Sequence, residues 1–166
     1  MKIEAQQTSL LAWQVGMVLN EALRLYPPAV ALFRTPVNDT RLGNITIPAG
    51  TILVVPILLW HHDQQYWGRD ANDFNPERFA QGIPKASTVS GAFMPFSIGP
   101  RNCIGQTFAM LEAKIVLSLI LRQYRFRVSP KYSHAPTIIV TIKPQFGMPL
   151  IFEKIQDHTA QVDRML

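Results

Sequence analysis

The pattern of apolar and polar positions predicts two long helices. Between residues 9 and 25, apolar side chains recur at steps of three and four, which places them on one face of an α-helix. Thr8 or Ser9 is its candidate N-cap, and Tyr26-Pro27-Pro28 ends it because proline disfavours helical geometry in the residue before it. Residues 106–122 show the strongest helical pattern, and since their other faces are also largely apolar we expect that helix to be well buried.

Short strand-like segments lie around these helices. Residues 44–48 alternate in polarity, residues 51–55 are β-branched and apolar, and the turn residues between them predict a hairpin. Residues 80–91 carry Gly, Pro, Ser and Thr without periodicity, which indicates a long irregular loop. Residues 137–142 and 149–152 are predicted as two further strands. Together these elements predict a mainly α-helical α+β fold with small β-sheets.

Composition narrows the possible partners and compartments. The 166 residues, 48% hydrophobic and 16% charged, suit one globular domain. The net charge of +5 suits an acidic protein, an anionic membrane or nucleic acid, but the cations are spread without a dense run, so nucleic-acid binding is not favoured. The single cysteine excludes an internal disulfide and fits a reducing compartment. We expect neither a signal peptide nor a membrane span, because no apolar stretch approaches the roughly 20 residues required.

The most informative segment is FSIGPRNCIG at residues 96–105. It directly precedes the second helix, so a thiolate at Cys103 would face the positive end of the helix dipole, with Arg101 two residues away. Gly99 permits a tight turn, Gly105 leaves room for a large flat ligand, and Phe96 can cover the sulfur with an apolar face. A lone cysteine is ordinarily a small buried hydrophobe, but these residue types at fixed offsets favour a metal-binding thiolate instead.

Phe96-x-x-Gly99-x-Arg101-x-Cys103-x-Gly105 resembles the haem-binding signature of the cytochrome P450 family. The resemblance implies that Cys103 is the axial ligand of the iron in haem b, and that Arg101 pairs with a haem propionate. It also implies a monooxygenase that inserts one oxygen atom from O2 into a small apolar molecule. The expected fold is then the C-terminal part of the cytochrome P450 fold, over residues 15–155. Residues 1–14 are expected to be a divergent N-terminal segment, and residues 156–166 a polar tail that frays.

Two upstream motifs support the resemblance. Glu21-x-x-Arg24 would on its own be a solvated ion pair, but it precedes FNPERF at residues 74–79, in the same order as in the family. The resemblance implies that Glu21, Arg24 and Arg78 form a structural charge network that locks the loop leading to the cysteine. Arg34 matches a position that often reaches the other propionate, with a surface arginine as the alternative.

Other residues receive simpler interpretations. The resemblance makes Val30, Ala31 and Leu32 substrate-contact candidates. His61 and His62 have no metal partner at useful spacing and are interpreted as hydrogen-bonding residues. Trp60, Trp67 and the methionines are expected in the core.

Within the family, the motifs resemble a plant branch that includes cytokinin hydroxylases and other hormone- and terpenoid-modifying enzymes. The implied electron donor is an NADPH-dependent flavoprotein reductase, and the implied location is the cytosolic face of the endoplasmic reticulum membrane, with membrane association expected for the full-length family only. An acidic reductase could bind a basic patch, with a solvated helix end as the alternative. The candidate residues of this patch all follow the cysteine: Lys114, Arg122, Arg125, Arg127 and Lys131.

The resemblance extends only to the C-terminal third of the family's usual length. The opposite wall of the haem pocket lies outside it, so we expect exposed apolar helix faces, poor haem binding and no turnover by the chain alone. The alternative function is a truncated, non-catalytic haem-binding or interaction product. A basic nucleic-acid binder is a third reading, disfavoured because no basic-and-aromatic stripe is present.

Overall fold

The structure is a computed structural model that describes the backbone of residues 2–155 and the side chains from residue 12 onward. Its first helix, α1, spans Lys2–Leu25. The prediction that Thr8 or Ser9 caps this helix is wrong, because the preceding residues KIEAQQ contain no helix breaker and continue the helix. The helix ends before Tyr26, as predicted. The polar tail at residues 156–166 lies outside the described residues.

Four short strands follow α1, and they form two separate antiparallel pairs: β1 (Leu32–Arg34) with β4 (Leu53–Val55), and β2 (Thr40–Leu42) with β3 (Ile45–Ile47). The predicted hairpin between residues 44–48 and 51–55 is therefore wrong in its pairing, although both segments contain strands. The tight connection lies earlier, where Gly43 (φ +58) opens the two-residue loop between β2 and β3. After β3 the chain turns back, and the next strand, β4, lies beside β1 rather than β3.

The middle of the chain forms the core. Its elements are the helices α2 (Ile57–His61) and α3 (Gln64–Trp67) and the 3-10 turns Pro76–Phe79 and Ile83–Lys85. The rest of the predicted loop at residues 80–91 is irregular, as expected. One cluster of buried side chains joins α1 to this region: Met17, Trp67, Ala71, Phe79, Ala86 and Ala92.

The C-terminal region consists of α4 (Gln106–Gln123), β5 (Tyr124–Val128), β6 (Pro136–Ile138), β7 (Ile142–Pro144) and β8 (Leu150–Lys154). Strand β5 pairs with β8, and β6 pairs with β7, both antiparallel. The single strand predicted at residues 137–142 is wrong, since a bend divides it into β6 and β7. The strand predicted at residues 149–152 is confirmed as β8, but its partner β5 was not predicted.

Helix α4 has the predicted bounds to within one residue, but the prediction that it is well buried is wrong. None of its residues is buried, and its exposed apolar side chains include Phe108, Leu111, Ile115, Val116 and Leu119. Among the described elements, α4 packs mainly against α1, so its other apolar faces meet no neighbour. This outcome agrees with the expectation of exposed helix faces.

The α+β fold class is confirmed: helices are combined with four separate two-stranded antiparallel sheets in the described part of the chain. Within residues 2–155, none of the helices combines the length and apolar character that crossing a bilayer requires.

Candidate functional site

The backbone of the cysteine loop, residues 94–105, is held by its own hydrogen bonds. The Cys103 N–H donates to the Phe96 carbonyl at 2.8 Å, and the Gln106 N–H donates to the Cys103 carbonyl at 3.3 Å. Between them, Gly99–Arg101 form a 3-10 turn. Two residues of the loop have left-handed backbone geometry, Ser97 at φ +66 and Gly99 at φ +75. The loop therefore presents Cys103 immediately before the first turn of α4.

The Cys103 thiol is exposed. A Cβ atom added to Gly105 would lie 3.8 Å from the sulfur, which is an ordinary contact, and Gly105 has no positive φ. Its small size thus leaves open space beside the sulfur but is not required by the backbone. Gly99 differs, because its φ of +75 strains any residue that carries a Cβ.

In the loop and the first turn of α4, the apolar side chains of Ile98, Ile104 and Phe108 are exposed. Phe96 is half-buried. Together with Phe93 it lines a cavity of about 390 Å³ between α1 and α4. Its connection to Cys103 is made through its backbone carbonyl.

Two arginines lie at the loop. Arg101 ends the 3-10 turn and is exposed. Arg34 comes from β1, and its Nη2 donates to the Ser97 hydroxyl at 2.9 Å, while its Nη1 donates to the Phe33 carbonyl. The structure thus brings Arg34 to the cysteine loop from a position more than sixty residues earlier in the chain.

Glu21 and Arg24 form a fully buried ion pair on α1. Arg24 Nε and Nη2 donate to the two carboxylate oxygens of Glu21 at 2.8 and 2.7 Å, a bidentate arrangement. Arg24 Nη1 also donates to the carbonyls of His61 and Ala71, at 2.7 and 2.6 Å. The guanidinium lies 5.1 Å from the centre of the Trp67 ring. All these contacts offset the free-energy cost of removing the two charged groups from water.

Arg78 joins this pair more loosely than the sequence implies. Its Nε lies 3.6 Å from Glu21 Oε1 and is buried without a hydrogen-bond partner in the described structure. Its Nη2 instead donates to Asp70 Oδ2 at 2.7 Å, and the side-chain hydrogen bonds from Asn75 and Arg78 lower the pKa of Asp70. Asp70 is a member of the network that sequence reasoning missed, since no motif links it to Arg78.

The two histidines are hydrogen-bonding residues, as predicted. His61 is fully buried, with Nδ1 3.1 Å from the Arg24 carbonyl and Nε2 3.0 Å from the Met94 N–H. Burial, with the nearby charges of Arg24 and His62, lowers its pKa to about 4. His62 contacts the Leu25 carbonyl through Nε2 and Asn72 through Nδ1.

The substrate-contact candidates lie where the chain passes from α1 to β1. Val30, Ala31 and Leu32 are half-buried, and the Val30 carbonyl accepts a hydrogen bond from the Leu58 N–H at 3.0 Å. Leu32 opposes Val55 in the β1–β4 pair.

The predicted core aromatic residues and methionines have different environments. Trp67 is buried, and Trp60 packs against the core. Met17 and Met94 are also buried. The prediction is wrong for Met148, which is about half exposed in the connection between β7 and β8.

Comparisons with known proteins agree with the signature. The family model described as Cytochrome P450 matches residues 15–149. The 11-oxo-beta-amyrin 30-oxidase of Glycyrrhiza uralensis is 53% identical over 85% of this chain and 27% of that protein. The 7-deoxyloganic acid hydroxylase of Catharanthus roseus is 50% identical over the same two shares, and Cytochrome P450 734A1 of Arabidopsis thaliana is 46% identical over 87% and 28%.

The chain thus spans about a quarter of the length of these curated relatives, all of them from plants. The resemblance to the C-terminal third of a plant haem-thiolate enzyme is confirmed. From its signature, its fold and these matches, the chain belongs to the cytochrome P450 family.

Proposed function

We propose that this chain supplies the thiolate side of a haem monooxygenase site, with Cys103 as the axial ligand of haem b. The observation that carries the proposal is the exposed thiol, which a hydrogen-bonded loop presents before the first turn of α4. The residues fit the group. A thiolate is a suitable iron ligand, Gly105 leaves open space beside it, and the loop and the first turn of α4 carry exposed apolar side chains.

Arg101 and Arg34 are the residues proposed to hold the propionates. Both belong to or contact the cysteine loop, and a guanidinium matches the geometry of a carboxylate. The bond from Arg34 to Ser97 would keep that guanidinium close to the loop before any ligand binds. When bound, thiolate-ligated haem supplies the activation of O2 and the insertion of one oxygen atom into the substrate.

The protein's own contribution is to orient and stabilise the thiolate. The first turn of α4 leaves N–H groups without helical partners, and their dipoles favour an anionic sulfur just before the helix. Glu21, Arg24 and Arg78 act structurally, because Arg24 and Arg78 donate to backbone carbonyls and Glu21 accepts the Asn75 N–H.

The proposed substrate is a small apolar molecule, of plant hormone or terpenoid type. Two of the relatives are named for oxidising 11-oxo-beta-amyrin and for hydroxylating 7-deoxyloganic acid. Val30, Ala31 and Leu32 are its proposed contacts, since they are apolar, only half-buried and lie on the segment that leads to Arg34.

The proposed electron donor is an NADPH-dependent flavoprotein reductase, on the cytosolic face of the endoplasmic reticulum membrane. Arg122, Arg125, Arg127 and Lys131 are exposed and suit an acidic partner. Lys114 is set apart from them, because its side chain lies against α1, where a Cβ added to Gly16 would be 3.3 Å from Lys114 Cε.

A second candidate is a non-catalytic haem-binding or interaction product of the same family. The exposed apolar side chains of α4 favour it, since such a surface cannot by itself exclude water from a bound haem.

The test is to titrate haem into the purified chain and into a chimera in which residues 15–155 replace the matching part of the Glycyrrhiza oxidase. We expect weak haem binding and no turnover by the chain alone. The chimera should show the carbon monoxide-bound absorbance of thiolate ligation and oxidise its substrate, and Cys103→Ser should abolish both. A chimera that shows the thiolate spectrum without turnover favours the second candidate. Haem binding with an unchanged spectrum in Cys103→Ser would overturn the proposal.

A further inference from the structure

The charge network does not itself reach the cysteine loop. In the described part of the chain, the Glu21–Arg24 pair makes its hydrogen bonds to backbone groups of residues 61–75. Arg78 bonds to Trp67 and Asp70, within the same stretch. The loop that carries Cys103 begins about twenty residues later. Something else must connect the two regions if the network is to hold the loop in place.

His61 makes that connection. Arg24 and His61 are bonded in both directions: Arg24 Nη1 donates to the His61 carbonyl at 2.7 Å, and His61 Nδ1 lies 3.1 Å from the Arg24 carbonyl. On its other side, His61 Nε2 accepts the Met94 N–H at 3.0 Å. A backbone N–H can only donate, so Nε2 must be unprotonated and the single ring proton must lie on Nδ1.

The ring has little freedom to adopt another orientation. It stacks on Phe93 with ring centres 5.7 Å apart and meets the edge of Trp67 at 5.9 Å. The side chain is fully buried. Both ring nitrogens therefore point along fixed directions, one to α1 and one to the loop.

Met94 is the residue at which the loop turns toward the cysteine. Its carbonyl accepts the Ser97 N–H at 3.0 Å, and this turn brings the Phe96 carbonyl to the Cys103 N–H at 2.8 Å. Ser97 has φ +66, a conformation that a residue with a Cβ adopts only when its surroundings impose it. Because Met94 is the first residue of this turn, fixing its position helps to hold Ser97 in that conformation.

We propose that His61 is a positioning residue for the thiolate: its neutral ring transmits the rigidity of the Glu21–Arg24 pair to Met94 and so sets the turn that presents Cys103. The proposal deepens the haem-thiolate function and rests on it for the role of Cys103. The bond to Met94 stands on the geometry alone.

Two substitutions separate the two bonds of the ring in the full 166-residue chain. In His61→Asn the side-chain amide can reach the Arg24 carbonyl but is too short to accept from Met94. In His61→Gln the amide oxygen can reach the position of Nε2 and accept from Met94. The first measurement is hydrogen exchange of the Met94 amide, with the Leu58 and Trp60 amides as controls, because their acceptors lie outside the loop.

We expect the Met94 amide to be protected in the wild-type chain and to exchange roughly five- to tenfold faster in His61→Asn, the factor of one net hydrogen bond. His61→Gln should remain close to wild type, and the control amides should change little in either variant. Lack of protection in the wild type, or no change in His61→Asn, would overturn the proposal. So would an equal acceleration of Met94 and the controls in both variants, which would mean that His61 only fills the core.

The second measurement is the fraction of bound haem that shows the thiolate spectrum at saturating haem. We expect this fraction to fall in His61→Asn and to be retained in His61→Gln. An equal fraction in wild type and His61→Asn, despite faster exchange at Met94, would contradict the positioning role. The variant Cys103→Ser distinguishes failure of the haem-thiolate function from failure of the His61 proposal. If its spectrum equals that of the wild type, the haem-thiolate function is wrong. The exchange data still decide whether the His61–Met94 bond is present.

Discussion

The region before the cysteine loop and the region after it differ in how far their side chains are buried and hydrogen-bonded within the chain. All the buried residues of the described chain, including the fully buried Glu21, Arg24 and His61, lie in the first region or in the first two residues of the loop, Met94 and Pro95. From residue 96 to residue 155, no side chain is buried. Cys103 lies at the boundary between them.

This contrast shows which part of the chain buries its apolar side chains and pairs its buried charges by its own contacts. In the first region the buried charges of Glu21 and Arg24 are hydrogen-bonded to each other and to backbone groups of the chain. In the second, α4 has apolar side chains on several faces but packs mainly against α1. The first region can therefore hold the loop rigidly, whereas the second leaves apolar surface that needs covering.

The largest expected effect comes from breaking the buried ion pair. Arg24→Ala leaves the Glu21 carboxylate buried without its main partner, and we expect a loss of about 3–5 kcal/mol in the free energy of unfolding. Denaturant unfolding followed by circular dichroism measures it. The matched control is Arg127→Ala, because the Arg127–Glu153 pair is 4.0 Å apart and mostly exposed, so its change should stay within about 0.5 kcal/mol. Equal losses in both variants would erase the contrast between the regions.

The next effect is a pH dependence that originates in the buried region. Burial lowers the pKa of His61 from 6.5 to about 4 in the folded chain. Between these values the unfolded chain binds a proton that the folded chain does not, so stability should fall as the pH is lowered from 6.5 to 4, by about 3 kcal/mol in all. Urea unfolding across this range, compared with His61→Phe, isolates the contribution. A wild-type curve parallel to that of the variant would exclude a neutral buried ring.

Two glycines at the boundary should behave differently. Gly99→Ala places a Cβ at φ +75 and should reduce the free energy of unfolding by about 1 kcal/mol. Gly105→Ala has no such strain and should leave stability nearly unchanged, yet weaken haem binding, because its methyl group occupies space beside the sulfur. Thermal unfolding and haem titration measure the two effects. Unaltered haem affinity in Gly105→Ala would show that the open space beside Cys103 is not used.

The smallest effect on stability should come from the exposed face of α4. Ile115→Lys and Leu119→Lys should each change the free energy of unfolding by no more than about 0.5 kcal/mol, while reducing self-association of the chain. Light scattering at several protein concentrations measures the association. Met17→Lys in the buried cluster is the control and should unfold the chain. A loss of stability in the α4 variants comparable to that of Met17→Lys would mean that this face is buried in solution.

Local signals predicted part of the fold correctly. The limits of α4 followed from its periodicity, and the end of α1 from Tyr26-Pro27-Pro28, since both depend on neighbouring residues. Asp70 and the bond from Arg34 to Ser97 could not be predicted, because each joins residues that no motif or periodicity links. The strand at residues 51–55 was recognised, but its partner was not, because alternation defines a face and not a neighbour.

The sequence by itself determined the family, the bounds of α4, the end of α1 and the positions of β3, β4 and β8, because these depend on residue type at short, fixed spacing. Only the tertiary structure decided which strands pair, which side chains are buried and how the charge network connects to the cysteine loop. His61 illustrates the reason: its role depends on where two distant backbone groups meet its ring, and that meeting is produced by packing rather than by spacing along the chain.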